Sequence, residues 1–181
     1  MIFSPGLEGS VSIVTPVAEF TSAFQRRVEA GLLSGRPHPR SRYIATPKAA
    51  GQLHVSAADW WTAVNVGLNE VELGMSEAGR LHYEIRYWRW AAYVLGSSAG
   101  LAAIMVAVLL AMDLPDYLGP HPAGTIPGLS PDQHVVIAWG MVVFWGFVWP
   151  WLLIALHKRP LRRLIERLIA EVDQGAQTGR T

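Results

Sequence analysis

Residues 90–112 read WAAYVLGSSAGLAAIMVAVLLAM, and residues 133–157 read QHVVIAWGMVVFWGFVWPWLLIALH. Neither stretch contains Asp, Glu, Lys or Arg. Arg89 and Asp113 bound the first, Asp132 and Lys158 the second. A bilayer core about 30 Å thick takes roughly 20 apolar residues of helix, and both runs reach that length. The buried helix of a soluble protein is the competing reading, but two uninterrupted runs of this length argue against it. The first run begins near residue 90 and the N-terminus has no apolar core, which reads against a cleaved signal. Two spanning helices are expected.

The charges around these runs set an orientation. All 15 Lys and Arg lie outside 90–157, and the connecting segment 113–132 carries Asp113, Asp116 and Asp132 but no basic residue. By the positive-inside rule both termini face the cytoplasm and the short Pro/Gly-rich loop faces outward. Trp88 and Trp90 then fall at the inner interface of the first helix, Trp149 and Trp151 near the inner end of the second, a level that indoles favour.

Over the whole chain of 181 residues the formal net charge is +1, and 16% of residues are charged against 51% hydrophobic. Soluble domains usually carry about 25% charged residues. The balance excludes a chain disordered throughout and an electrostatic nucleic-acid binder. With no cysteine, disulfides, thiol nucleophiles and Cys-ligated metals are excluded too.

The rest divides into cytoplasmic pieces. Residues 1–41 form an amphipathic helix and a linker. Thr15-Pro16 is a helix start, an N-cap hydroxyl followed by proline at the first helical position, and Val17, Phe20, Phe24 and Val28 form one apolar stripe. Ser34-Gly35 ends the helix. It lies either on the membrane surface or on the sheet that follows. That sheet, residues 42–88, is antiparallel. Leu81, Tyr83, Ile85 and Tyr87 alternate with polar neighbours, as do Val71, Leu73 and Met75, and Ser76–Gly79 turns between them. Arg42–Thr46 and Gln52–Ala57 form a weaker pair around 47–51. Asp59 caps a short helix whose Trp60 and Trp61 either touch the membrane interface or close the sheet. The transmembrane hairpin occupies 89–157 with its external loop at 113–132. Pro160 begins an amphipathic helix in 158–181, apolar at Leu161, Leu164, Ile165, Leu168, Ile169 and Val172, with Lys158, Arg159, Arg162, Arg163 and Arg167 within reach of anionic headgroups. The fold class expected is an α+β membrane protein: a two-helix hairpin, a small cytoplasmic antiparallel sheet and flanking amphipathic helices.

Chemistry-bearing patterns are scarce. The spans hold no acid or base for an ion or proton pathway. None of His38, His54, His82, His121, His134 and His157 has a zinc-like spacing. His134 and His157 lie about 34 Å apart along one helix, so they share no metal; either alone is a headgroup-level histidine or an axial ligand to a tetrapyrrole magnesium. Asn65, Asn69, Glu70 and Glu72 form either a cation site or a turn and the outer face of a strand. There is no P-loop, G-x-G-x-x-G or Ser/His/Asp pattern. The reading is therefore no catalytic residue, no metal ligand, no cofactor of its own and no enzyme.

Surfaces for helix contact are plainer. Gly96-Ser97-Ser98-Ala99-Gly100 has the G-x-x-x-G spacing that lets backbones approach, and Gly140 and Gly146 of the second run offer a groove to match. Trp145, Trp149 and Trp151, with Phe144 and Phe147, spread more aromatic area than one neighbouring helix covers; lipid absorbs part of it, and a partner protein or a flat pigment or quinone is the sharper reading, so the three tryptophans are assigned to partner contact. The stretch Phe144-Trp145-Gly146-Phe147-Val148-Trp149-Pro150-Trp151-Leu152 resembles the Trp-Arg-Pro-Trp end of bacterial light-harvesting antenna polypeptides, without their Ala-x-x-x-His pigment ligand. From Arg42 to Val172 the plan is similar to small two-span bacterial membrane proteins of the kind recruited as accessory scaffold subunits by photosynthetic reaction-centre supercomplexes. With the charge pattern, which makes the chain multi-pass with both termini cytoplasmic, the resemblance implies a protein of the bacterial inner membrane. Its partners would be other membrane-protein subunits and the lipid bilayer, with pigment or quinone held by those partners and no nucleic acid. The function expected is a non-catalytic scaffold of an energy-transducing complex. A free-standing membrane sensor with a ligand-binding sheet is the alternative, and a small lipid-modifying enzyme the third.

Overall fold

The computed structural model describes residues 4–31, 42–49, 51–76, 79–112 and 126–178. The helix end at Ser34-Gly35, the 36–40 segment and most of the outer loop lie outside these. The chain divides into two compact units, Met1–Ala92 with Ala155–Thr181, and Tyr93–Ile154.

The first unit is built on one five-stranded antiparallel sheet in the order β1-β5-β4-β3-β2. Its strands are β1 (Gly6–Ser12), β2 (Tyr43–Ala49), β3 (Gln52–Ala57), β4 (Glu70–Met75) and β5 (Arg80–Arg86). The four strands after residue 42 follow the alternation in the sequence. β1 does not figure in that reading, because two glycines break its pattern; Leu7, Val11 and Ile13 keep the period. Strand β2 runs through Pro47 and Lys48 as far as Ala49, with an irregularity between Pro47 and Ala49. Proline, lysine and a bulge are features of an edge strand, where an unmade ladder bond costs nothing and the edge is blunted.

One face of the sheet is apolar. Leu53, Val55, Val71, Leu73, Leu81 and Ile85 are buried on it. Helix α1 (Val17–Glu29) buries Phe20, Phe24 and Val28, which settles the choice between membrane surface and protein core in favour of the core. Its N-cap is Pro16, with no side-chain cap. Thr15, expected as the cap, instead donates its N–H to Asp173 Oδ1 at 2.9 Å, and its hydroxyl donates to the Asp173 carbonyl at 3.3 Å. Close approach dictates one glycine. Gly9 pairs with Tyr83 across the β1–β5 ladder, and a Cβ there would overlap the Tyr83 ring.

Between β3 and β4 lies the short helix α2 (Trp60–Val66). The Asp59 carboxylate accepts from the Thr62 N–H at 2.7 Å, and left-handed Gly67 (φ 75°) ends the helix. Thr62, Ala63 and Val64 face inward and are buried, while Trp60 and Trp61 are exposed. Helix α3 (Trp88–Ala111) follows β5 after a single residue.

The last three elements are continuous: α4 (Pro131–Val143), a π-helical turn (Phe144–Val148) and α5 (Trp149–Thr178). The helix beginning expected at Pro160 is corrected, since Pro160 lies inside α5. Leu161, Ile165, Leu168, Ile169 and Val172 are buried in the first unit, so the apolar face of this amphipathic segment is spent on protein rather than lipid. The π turn has a local cause. Proline in a helix lacks an N–H and its ring clashes with the carbonyl four residues back, which for Pro150 is that of Gly146. One turn of wider winding, in which the Trp149 N–H donates to the Phe144 carbonyl, accommodates the ring immediately before it.

Helix α3 and the continuous helix Pro131–Thr178 are each long and apolar enough to cross a membrane.

Candidate functional site

At the start of α3 the first unit gathers Gly67, Asn69, Tyr87, Trp90 and His157. Asn69 is buried, and its Oδ1 accepts from the Arg89 N–H at 3.2 Å, so a side chain preceding β4 caps the first turn of α3. Tyr87, wholly buried, donates its N–H to the Pro5 carbonyl at 2.9 Å. The His157 ring lies flat on Trp90, centroids 3.9 Å apart and planes 15° apart, with Tyr87 edge-on at 5.3 Å. Its Nε2 is 2.9 Å from the Gly67 carbonyl. A carbonyl only accepts, so Nε2 carries the proton and donates. This engagement removes His157 as an axial ligand through that nitrogen. His134 is occupied too: Nδ1 lies 2.8 Å from the Ser130 carbonyl, and Nε2 accepts from the Ile126 N–H at 2.8 Å.

Asn65, Asn69, Glu70 and Glu72 are not brought together as a cation site. Asn69 is buried under α3, Asn65 is exposed on α2, and Glu70 and Glu72 stand on the polar face of the sheet. Among the described residues no group of three or more His, Asp or Glu is arranged to hold a metal ion.

That polar face is open. One cross-strand row runs Glu8, Glu84, Glu72, His54, placing three carboxylates directly opposite one another, an arrangement that costs stability when unpaired. Arg86 bonds Glu84 at 2.8 Å and Lys48 bonds Glu72 at 2.9 Å. The Lys48 hydrogen bond holds the Glu72 carboxyl below the usual carboxylate range. A shallow groove of about 280 Å³ crosses the face, lined by Glu8, Glu72, His82 and Glu84 with Gly9, Gly74 and Tyr83. His82 is exposed on it, as its strand position implied. On the apolar face, the Tyr83 hydroxyl donates to Glu166 Oε1 at 2.7 Å; burial first, then this bond, pushes the phenol up to about 12.

In the second unit the small residues divide. A Cβ built on Gly146 would lie 2.5 Å from the Ala102 Cβ, whereas nothing lies within 4 Å of one built on Gly96, Gly100 or Gly140. Of the groove expected between Gly96 and Gly100 of one helix and Gly140 and Gly146 of the other, Gly146 alone abuts the opposite helix, at Ala102 rather than at Gly96 or Gly100. Trp145 and Trp149 pack edge to face at 5.2 Å, and Phe144 lies 5.3 Å from Trp145. These rings and Trp151 are half-buried or nearly so, and Phe147 beside them is 67% exposed. The spacing of four between Trp145 and Trp149 held the signal for their mutual contact.

Comparison with protein families, with characterised proteins and with solved structures finds no match, so the site stands on its own geometry.

Proposed function

We propose that this chain is a non-catalytic membrane subunit, a two-span scaffold that holds other membrane proteins of a larger energy-transducing assembly. The observation that carries this reading is the division among the glycines. Gly146 serves the contact between the chain's own helices, which leaves the Gly96–Gly100 stripe of α3 open, at the spacing that lets another backbone approach closely. The exposed Phe147 ring adds aromatic area of the kind that anchors interfaces.

Within the second unit the Gly146–Ala102 approach brings the two uncharged runs against each other, as a hairpin requires; on the charge pattern its loop would lie outside and both termini in the cytoplasm. The antenna-like end at Trp149-Pro150-Trp151 makes a pigment-bearing photosynthetic assembly of the bacterial inner membrane the first to examine. The test is the double substitution Gly96→Leu with Gly100→Leu. The variant should insert and keep the Gly146–Ala102 contact yet be lost from its assembly; retention at the wild-type ratio rules the stripe out as the partner site.

A second reading, a membrane sensor whose sheet binds a ligand, is favoured by the open groove along Glu8, Glu84 and Glu72. Its ligand would be cationic. Titration with basic peptides, read by chemical shifts at Gly74 and His82, separates it from the scaffold.

A further inference from the structure

We propose that α2 is a lipid anchor: Trp60 and Trp61, with Trp88 and Arg89, enter the boundary between headgroups and acyl chains and give the sheet unit a membrane attachment of its own. The inference rests on the reading that α3 spans. Trp60, Trp61 and Trp88 are 41%, 64% and 45% exposed, although the inward side of α2 is fully packed. Three large indoles left open on one unit call for an apolar cover. Their level is fixed by contact. The Trp60 and Trp88 rings meet edge to face at 5.9 Å. Trp88 is the first residue of α3 and stands two residues, about 3 Å of helix, before the uncharged run begins at Trp90. If α3 crosses the bilayer, Trp88 lies at the interface and carries Trp60 there.

Indoles prefer that boundary, ring in the acyl region and N–H toward water. The Arg89 guanidinium, 5.4 Å from the centre of the Trp88 ring, brings a positive charge to the level of lipid phosphates. The helix cannot readily swing away. Asp59 caps its start, His157 holds the Gly67 carbonyl at its end, and the Tyr43 hydroxyl donates to the Leu68 carbonyl at 2.8 Å. An anchor of this kind fixes the height and tilt of the sheet, so its polar face is presented in one orientation.

The chain lacks cysteine, so single labelling sites are clean. Full-length Trp61→Cys carrying an environment-sensitive fluorophore is reconstituted in vesicles of phosphatidylcholine and phosphatidylglycerol. His82→Cys serves as the water reference and Val108→Cys as the lipid reference. Asn65→Cys, exposed on the same side of α2, repeats the measurement with all tryptophans intact. Labels at 61 and 65 should be shielded from aqueous iodide several-fold relative to 82 and quenched by lipids spin-labelled near the headgroup. Iodide access at 61 and 65 equal to that at 82, with 108 still in lipid, overturns the anchor alone. Shielding from both quenchers means a protein covers the tryptophans and also overturns it. Water access at 108 removes the spanning reading, and the anchor with it.

Discussion

Trp90 and His157 stack face to face, ring centroids 3.9 Å apart, so the first residue of one uncharged run touches the last residue of the other. The contact holds the chain's two long helices together where the charged sequence begins. Its second half is the hydrogen bond from His157 Nε2 to Gly67, which ties the same ring to the end of α2.

Two substitutions separate these parts. His157→Phe keeps a ring on Trp90 but leaves the Gly67 carbonyl without its donor, a loss of about 1–3 kcal/mol for a buried acceptor. Gly67→Ala should cost about 2 kcal/mol or more, because φ is 75° and the new methyl group would overlap the His157 ring. Thermal unfolding in detergent, followed by near-ultraviolet circular dichroism, measures both. Wild-type stability in Gly67→Ala would contradict the geometry.

Asp173 gives the first unit a sign for its acid response. Burial works to raise its carboxyl, but hydrogen bonds from Thr15, Val14 and Gln177 outweigh it and hold the group below the usual carboxylate range. A lowered folded pKa contributes stability that is complete above the unfolded value, near pH 4, and is lost as pH falls through the folded value. Asp173→Ala should therefore lower stability by about 1 kcal/mol at pH 7. The gap to wild type should shrink below about pH 4. A gap of constant size down to pH 2 would mean that the charge contributes nothing.

The helix pair makes a prediction within one helix. Gly146→Leu should push the helices apart, since a Cβ there already meets Ala102, whereas Gly140→Leu meets nothing within 4 Å and should be tolerated. Thermal unfolding in detergent should fall for Gly146→Leu and stay at the wild-type value for Gly140→Leu; equal stability in the two variants would reverse the assignment.

Much of this architecture was legible because it rests on period and charge. Tyr83 and Ile85 alternate with His82 and Glu84, and Phe20, Phe24 and Val28 recur every fourth residue; those patterns are local and gave strands and a helix stripe. Strand β1 was hidden because Gly9, which leaves room for Tyr83, removes the apolar residue its pattern needed. Pro160 misled because proline is a start signal as well as a breaker, and only tertiary packing of Leu161 and Ile165 shows the helix running through it. The junction of Gly67, Asn69 and His157 joins residues up to ninety positions apart. No spacing rule reaches that far; a glycine ending a short helix was its one local trace.

The proposed topology, termini inside and loop outside, rests on the absence of Lys and Arg over 90–157. Reporter fusions at Gly175 and near Gly124 should report cytoplasm and exterior respectively. A cytoplasmic signal from Gly124 would overturn the proposed orientation and move the sheet to the other side of the membrane.

On the scaffold reading the chain works as part of an assembly. The most direct measurement of this is the mass and stoichiometry of the native protein, extracted in mild detergent and separated by size. The scaffold account predicts that this 19.9 kDa chain migrates in a far larger complex, in fixed ratio to other membrane subunits, and that Trp145→Leu with Trp149→Leu weakens that association while membrane insertion survives. A wild-type chain that runs alone at its own mass in the detergent micelle would contradict it.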